Sequence, residues 1–487
     1  MHSAHTFPAG RAERERSDQV LKPRRGAGRT AALALTLIVA AALTLPCLAG
    51  SKSDRPGDVI LIVIDTLRPD ALGCYGNPAP VSPRLDALAA DGVRFTAAVS
   101  TSGWTLPAIA SLMTATWPTL HGATGKSSEM YPIRENVPTG AERFRQAGYR
   151  TFGFANAAYV SPMLGFDRGF ESYDHRHAFN EDIRRADETI DAALELIRAH
   201  REEPSFVFIH LFDPHLDYDP PATTRARFTA GREEPPAPLS WEDCVSLQRG
   251  RGTQPPATAD IAYVKALYHA EVAFADEQIG RLVAELKSLG RYDAATLVVT
   301  ADHGEEFWEH GGFEHGHTLY AELVDIPLIV KLPAEKKPAR AVISSQVRIV
   351  DIMPTLLDLC GLEPFAQAAG SSLLPMMLGA EEPDRTAFCE STLRGKDCYV
   401  WSTGRYTYIL NMGSGRGALP ELFDRQADRA QTRNLASAQP EIASELNRAL
   451  EEFRGGLREQ ARKLPARQPR DMSPREIESL RSLGYIR

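Results

Sequence analysis

The sequence predicts an α/β fold in which a mostly parallel sheet is sandwiched between helices, followed by a smaller C-terminal α+β subdomain. Three observations predict it. Apolar runs rich in Val and Ile, residues 58–64 (DVILIVI) and 295–300 (ATLVVT), read as strands buried on both faces, the habit of parallel strands covered on each side. Helical stretches alternate with such runs, as crossovers between parallel strands require. After Ser371 this alternation gives way to short strand candidates and one helix.

The elements follow in order. Residues 1–30 are rich in Arg (Arg11, Arg14, Arg16, Arg24, Arg25, Arg29), an apolar run covers 31–45, and the small residues Ala49, Gly50 and Ser51 come next. Basic, then apolar, then small is the order of an export signal. The run is near the lower length limit for a membrane span, so residues 1–50 are a signal peptide or an uncleaved N-terminal membrane anchor. Either places the body, from about Asp54, outside the cytoplasm, periplasmic or anchored facing outward. The strand at 58–64 ends on Asp65. Residues 82–90 (SPRLDALAA) form a helix with Ser82 as a cap and Pro83 in its first turn. A helix at 140–148 leads to a strand at 151–155, and a long amphipathic helix at 183–200 leads to a strand at 206–210. Residues 225–259, rich in Pro, Gly, Arg and Glu, are a surface insertion. A helix at 265–289 precedes the strand at 295–300. The domain from 54 to 375 thus carries the sheet. The C-terminal subdomain, 376–487, holds strands at 398–402 and 406–410, a helix at 441–453 and a short terminal helix within 473–487.

Composition narrows the function. Of 487 residues 43% are hydrophobic and 24% charged, as in ordinary globular proteins, and the formal net charge of -8 argues against a nucleic-acid partner. The cysteines beyond the leader (Cys74, Cys244, Cys360, Cys389, Cys398) lack the close pairs of metal-binding cysteine sites. Cys389 and Cys398 are a candidate disulfide in an oxidising compartment, with buried thiols the equal alternative.

A single Asp after a strand is usually a cap or turn former. Two of them, Asp65 and Asp302, at the ends of separate buried strands would face one crevice, where open α/β sheets place their ligands. His303 adjoins Asp302 in TADHG, so a hard oxygen and an imidazole nitrogen stand together, and with Asp65 they make a divalent-metal site. His310, His315 and His317 crowd into WEHGGFEHGHT, and Asp213 and His215 follow the strand at 206–210. For any one of these His a structural hydrogen bond is as good an account as chemistry. Imidazole ligands favour Zn or Mn, with Ca the alternative.

These residues carry a resemblance. VILIVIDTLRPDALGCYG (59–76), SPRLDALAADGVRF (82–95), SGWTLPAIASLMTATWPTLHG (102–122), FDPHLDYDPP (212–221), TADHGEEFWEHG (300–311), HGHTLYAELVDIPLIV (315–330) and ELFDRQADRAQTRNLA (421–436) resemble, in order, the segments of the sulfatase family within the alkaline phosphatase superfamily. The resemblance implies that Asp65, Asp302 and His303 hold a divalent metal, and that Thr105 is the nucleophile, its oxygen also on the metal. It implies that His215 and His317 act in catalysis, and that Asp213 and His315 contact an anionic ester substrate, whether small molecule, lipid headgroup or glycan. Between His315 and His317 it leaves open which one faces the site.

Two departures bear on the chemistry. Sulfatases proper carry Cys or Ser in C/S-x-P-x-R, oxidised to a formylglycine aldehyde; here Thr105 holds that position and Ile109 replaces the Arg. Asp65 is followed by Thr66, where many sulfatases have a second Asp. A Thr nucleophile resembles instead the superfamily's phosphodiesterases, phosphonate hydrolases and phosphoglycerol or phosphoethanolamine transferases. In those enzymes a phosphothreonine forms and is resolved by water or an alcohol. Phosphoryl chemistry is therefore the favoured expectation. The alternatives are a sulfuric ester hydrolase acting without formylglycine, an inactive sulfatase-like binding protein, and, for Thr105 alone, a helix cap before the apolar helix 108–113.

Overall fold

The computed structural model describes residues 57–126, 129–176, 184–232, 258–381, 383–394, 397–412 and 419–470, and residues 56–487 form one compact unit. The export or anchor segment, most of the 225–259 insertion and the 473–487 helix lie outside the described residues. No described helix is long and apolar enough to cross a membrane.

Among the described residues the central sheet has nine strands: β1 Val59–Ile64, β2 Val93–Val99, β3 Arg150–Phe154, β4 Ser172–Asp174, β5 Ser205–Leu211, β6 Thr296–Ala301, β7 Asp325–Lys331, and the short β8 Val342–Ile343 and β9 Val347–Arg348. Their spatial order is β8-β2-β7-β6-β1-β5-β3-β4, with β9 also beside β2. Every residue of β1, β5 and β6 is buried, which is why they read as unbroken apolar runs. β1 runs parallel to β5 and to β6, and Ile64 pairs with Leu211 on one side and Ala301 on the other. That register brings Asp65 and Asp302, each the next residue, to one level at the C-terminal edge of the sheet.

β7 is the exception in a mostly parallel sheet, antiparallel to both β6 and β2. No crossover helix separates β6 from β7. The chain leaves the C-terminal end of β6 and returns from that same edge, so the connection 302–324, with all its histidines, has to lie over the strand ends. A two-stranded ribbon, Glu306–Phe307 against Phe313–Glu314, stiffens it.

Helices α1 Pro83–Ala90 and α3 Ala186–Ala199 pack on the sheet, α4 Thr258–Ser288 packs against both of them, and α2 is Thr105–Thr114. α4 starts earlier than the sequence pattern suggests. Ser82 precedes α1 without capping it. The N–H groups of Arg84 and Leu85 donate to the Asp276 carboxylate of α4 at 3.0 and 2.7 Å, and the Ser82 hydroxyl turns to Asp86. A charged acceptor from a packed neighbour satisfies the helix end better than the local hydroxyl.

The C-terminal part is an antiparallel meander of β10 Ala387–Glu390, β11 Cys398–Ser402, β12 Tyr406–Asn411 and β13 Leu419–Asp424, with helix α5 Pro440–Arg462 packed on it. A second core joins it to the body, with Val400, Ile409 and Phe423 of the meander meeting Val99, Leu319 and Leu323. Cys389 and Cys398 are buried free thiols, and Cys389 donates to Ser100 O at 3.1 Å.

His310 straps these parts together, its Nδ1 2.5 Å from Glu322 and its Nε2 3.0 Å from the Gln431 carbonyl. Burial opposes its charge, but the Glu322 carboxylate and the Gln431 carbonyl outweigh it and push the imidazole to about 9. A folded-state pKa above the unfolded value of about 6.5 stabilises fully below that value, and the gain is lost as pH rises through about 9. Wild type is therefore expected to lose roughly 1 to 2 kcal/mol between pH 6 and pH 10 that a His310→Gln variant does not lose. Urea denaturation of both proteins across that range checks it, and parallel pH profiles would remove His310 as the cause.

Candidate active site

Asp65, Thr105, Asp302 and His303 converge at the C-terminal edge of β1 and β6, all buried. Thr105 Oγ1 lies 3.2 Å from His303 Nε2. Thr105 is the first residue of α2 and its hydroxyl makes no cap to the helix, Trp104 occupying the cap position. The helix-cap reading of Thr105 is thereby corrected: α2 begins with Thr105 already inside it, and the hydroxyl points across to the imidazole.

His303 Nδ1 is 2.9 Å from the Gly304 carbonyl, an acceptor only, so Nδ1 carries the proton and Nε2 presents a bare lone pair. That lone pair faces Asp302 Oδ2 at 3.3 Å and Asp65 Oδ1 at 3.6 Å. Neither oxygen of Asp65, nor Asp302 Oδ2, makes a hydrogen bond of normal geometry. Burial, and then the carboxylates of Asp302 and Glu305, push Asp65 well above the usual carboxylate range. Three buried acceptors aimed at one point are costly unless a cation stands among them, so the donor set fits a divalent metal. Thr66, next to Asp65, has a left-handed φ of 55°, an outlier for a β-branched residue, and this turn directs its N–H to Asp302 Oδ1 at 3.4 Å.

A row of imidazoles extends from this cluster: the His315 ring lies 4.4 Å from that of His303 and 5.0 Å from that of His215. Of the two histidines in EHGH, His315 is the one that faces the cluster. His317 pairs with Glu306 at 2.8 Å, apart from Thr105. His215 Nδ1 donates to the Leu216 carbonyl at 2.6 Å, and burial holds its pKa down to about 3, with His303 and Arg394 adding to the effect. Burial likewise holds His315 well below its usual value. Asp213 Oδ2 accepts the Ala186 N–H at 2.8 Å at the start of α3, and burial raises its pKa to about 6.

A family profile described as Sulfatase matches residues 57–362, and one described as N-sulphoglucosamine sulphohydrolase, C-terminal, matches residues 308–456. The chain belongs to the sulfatase family. It is a sulfatase-family hydrolase. Bovine arylsulfatase K is 30% identical over 201 residues, covering 39% of this chain and 36% of that protein. The match therefore spans about a third of that relative's length. The Delta 4,5-hexuronate-2-O-sulfatase of Bacteroides thetaiotaomicron is 23% identical over 423 residues, 80% of this chain and 86% of that one. Among solved structures, one bound to its substrate D-glucosamine-2-N,6-O-disulfate superposes with a TM-score of 0.69 at 20% identity, covering 83% of this chain and 99% of that one. The phosphonate monoester hydrolase of Agrobacterium radiobacter superposes with a TM-score of 0.67 at 24% identity, covering 84% and 96%. At these identities the structural likeness shows the sulfatase fold.

Three residues of this sulfatase-family centre escaped the sequence reading. His210, inside β5, places Nε2 3.5 Å from Asp65 Oδ2 and makes no hydrogen bond through either ring nitrogen. Its only sequence signal is an imidazole among the apolar residues that follow Ser205 in the strand. Glu305, the second residue after His303, holds His315 Nδ1 at 2.9 Å and accepts the Tyr218 hydroxyl at 3.0 Å. Arg394, in the loop after β10, pairs with Glu314 beside His315.

Proposed function

We propose that the protein cleaves an anionic phosphate ester, a phosphodiester or phosphonate in preference to a sulfate, through Thr105 Oγ1 as nucleophile. The observation that carries the proposal is the Thr105 hydroxyl, 3.2 Å from His303 Nε2 and uncommitted to the helix it begins. Asp65, Thr105, Asp302 and His303 would hold one divalent ion, Zn or Mn by their ligand chemistry, which when bound supplies Lewis acidity toward the hydroxyl and the ester oxygens.

The rest follows from the chain's own residues. Thr105 Oγ1 forms a bond to phosphorus as the ester's P–O bond breaks; the hydroxyl proton and the released alkoxide yield the free alcohol. Water then attacks the phosphothreonine, restoring the Thr105 hydroxyl and releasing the phosphoryl product. The first-turn N–H groups of α2, which have no partner within the helix, would offer donors to the oxyanion. His215 is neutral, its Nδ1 proton tied to the Leu216 carbonyl, and its ring stands in the imidazole row that reaches His303 through His315, where it would contact the ester. A Thr side chain oxidised at Cβ would be a ketone, so formylglycine chemistry is closed to residue 105. The orphaned, buried acceptors favour an active enzyme over an inactive binding protein, because only a bound cation offsets the cost of burying them together.

A paired assay tests the choice of ester. Metal-loaded enzyme is expected to turn over bis-p-nitrophenyl phosphate with a kcat/KM at least about tenfold above that for p-nitrophenyl sulfate; the reverse order would establish the sulfate-ester reading, which the names of the relatives favour. Export is the second part of the proposal, resting on the Arg-rich leader and its apolar run. A reporter that matures only outside the cytoplasm, fused after residue 60, is expected to be active, and an inactive fusion retained in the cytoplasm would end that part.

A further inference from the structure

Arg134 and Arg467 meet on the open face of Gly122, which has a left-handed φ of +81° and where a Cβ would come within 3.0 Å of Arg134 Cγ and Nε and of Arg467 Cδ. Arg134 donates to the Pro465 carbonyl, Arg467 Nη1 donates to the Gly122 carbonyl at 3.1 Å, and the Arg467 guanidinium lies 4.6 Å from the centre of the Tyr131 ring. Arg134 Nε is buried and makes no hydrogen bond. Among the described residues the partners of these two guanidiniums are carbonyls and a ring, with no carboxylate in ion-pair contact. Burial and then the Arg467 charge lower the Arg134 pKa, as expected of two like charges held together without a counter-ion.

The pair borders a cavity of about 410 Å³. Its walls combine the rings of Tyr131 and Tyr399, the hydroxyls of Thr124 and Ser391, and the carboxylates of Glu129 and Asp397. Ser391 is shared with the catalytic segment: its carbonyl accepts the Ser102 hydroxyl at 2.9 Å, and its Oγ accepts Trp104 Nε1 at 3.2 Å and lies 2.8 Å from Thr124 Oγ1.

We propose that this cavity binds an acidic sugar residue. Two guanidiniums suit a carboxylate or sulfate, and carboxylates and hydroxyls suit the hydroxyl groups of a pyranose. A simple anion would have no use for the carboxylate wall, and a neutral sugar none for the arginine pair. The site lies behind Ser391 from Thr105 and does not depend on Thr105 being a nucleophile.

Isothermal titration of the full-length protein with glucuronic acid tests it, with glucose and inorganic sulfate as controls. Saturable glucuronate binding is expected, weakened at least tenfold in the double variant Arg134→Gln, Arg467→Gln, with no binding of glucose. Turnover of a p-nitrophenyl ester is expected to be equal in the two proteins and not inhibited by glucuronate in wild type, which separates this site from the catalytic one. If the double variant fails to fold, Arg467→Gln alone, whose side chain is exposed, is expected to weaken binding several-fold. No glucuronate binding by wild type, equal binding by folded variants, glucose binding as tightly as glucuronate, or sulfate binding where glucuronate fails would each overturn the proposal.

Discussion

Thr105→Ala is expected to lower kcat/KM on an activated phosphodiester by about three orders of magnitude or more, because on the proposed mechanism it removes the attacking atom and one metal ligand at once. The fold is expected to survive. The hydroxyl makes no cap hydrogen bond, so the change amounts to one buried methyl and one hydroxyl, roughly 1 kcal/mol. Thr105→Ser keeps the oxygen and is expected to stay within about tenfold of wild type, the lost methyl loosening the rotamer more than altering the chemistry. The comparison is made on purified, metal-loaded proteins of equal melting temperature. Wild-type rates in the Ala variant on both phosphate and sulfate esters would end the nucleophile assignment and revive a binding role.

The second large effect belongs to the metal set. Chelation is expected to abolish turnover, and Asp302→Asn to lower metal content measured by mass spectrometry while leaving the circular dichroism unchanged. A readout independent of activity comes from the cation-free protein. There Asp65 Oδ1, Asp302 Oδ2 and the bare His303 Nε2 face one another without compensation. Converting both carboxylates to amides relieves that repulsion, so the cation-free double variant Asp65→Asn, Asp302→Asn is expected to be more stable than cation-free wild type at neutral pH, by about 1 to 3 kcal/mol. Added Zn or Mn is expected to reverse the order by stabilising wild type alone. A double variant that binds metal as tightly as wild type would show that the ion sits elsewhere.

What was legible in the sequence is what a local pattern can carry. Val59–Ile64 and Thr296–Ala301 announce themselves by unbroken apolar runs, and an Asp directly after each is visible without knowing how strands pair. β2 escaped because Arg94 and Thr96 interrupt it, as befits a strand only half covered. The antiparallel course of β7 escaped because direction depends on the connection rather than on composition. The choice between His315 and His317 turns on two residues of spacing in a tight loop, and only the ribbon Glu306–Phe307 with Phe313–Glu314 decides which ring turns toward His303. Asp276 and Arg394 act on residues they are far from in the chain, which no periodicity records.

Ser391 has a consequence for how the protein is made. Its contact with Ser102 joins residues 289 positions apart, and the next turn of its loop ties Arg394 N–H to the Gly316 carbonyl at 2.8 Å. A ribosome delivers the nucleophile segment early and this clasp late. A nascent chain that has emerged only to the start of β10 already contains every candidate ligand, yet Ser102 and Trp104 still lack the partners that hold them in place. Translation that stops there yields a chain with the right residues and an unfinished centre, which is complete only once the last fifth of the chain has docked.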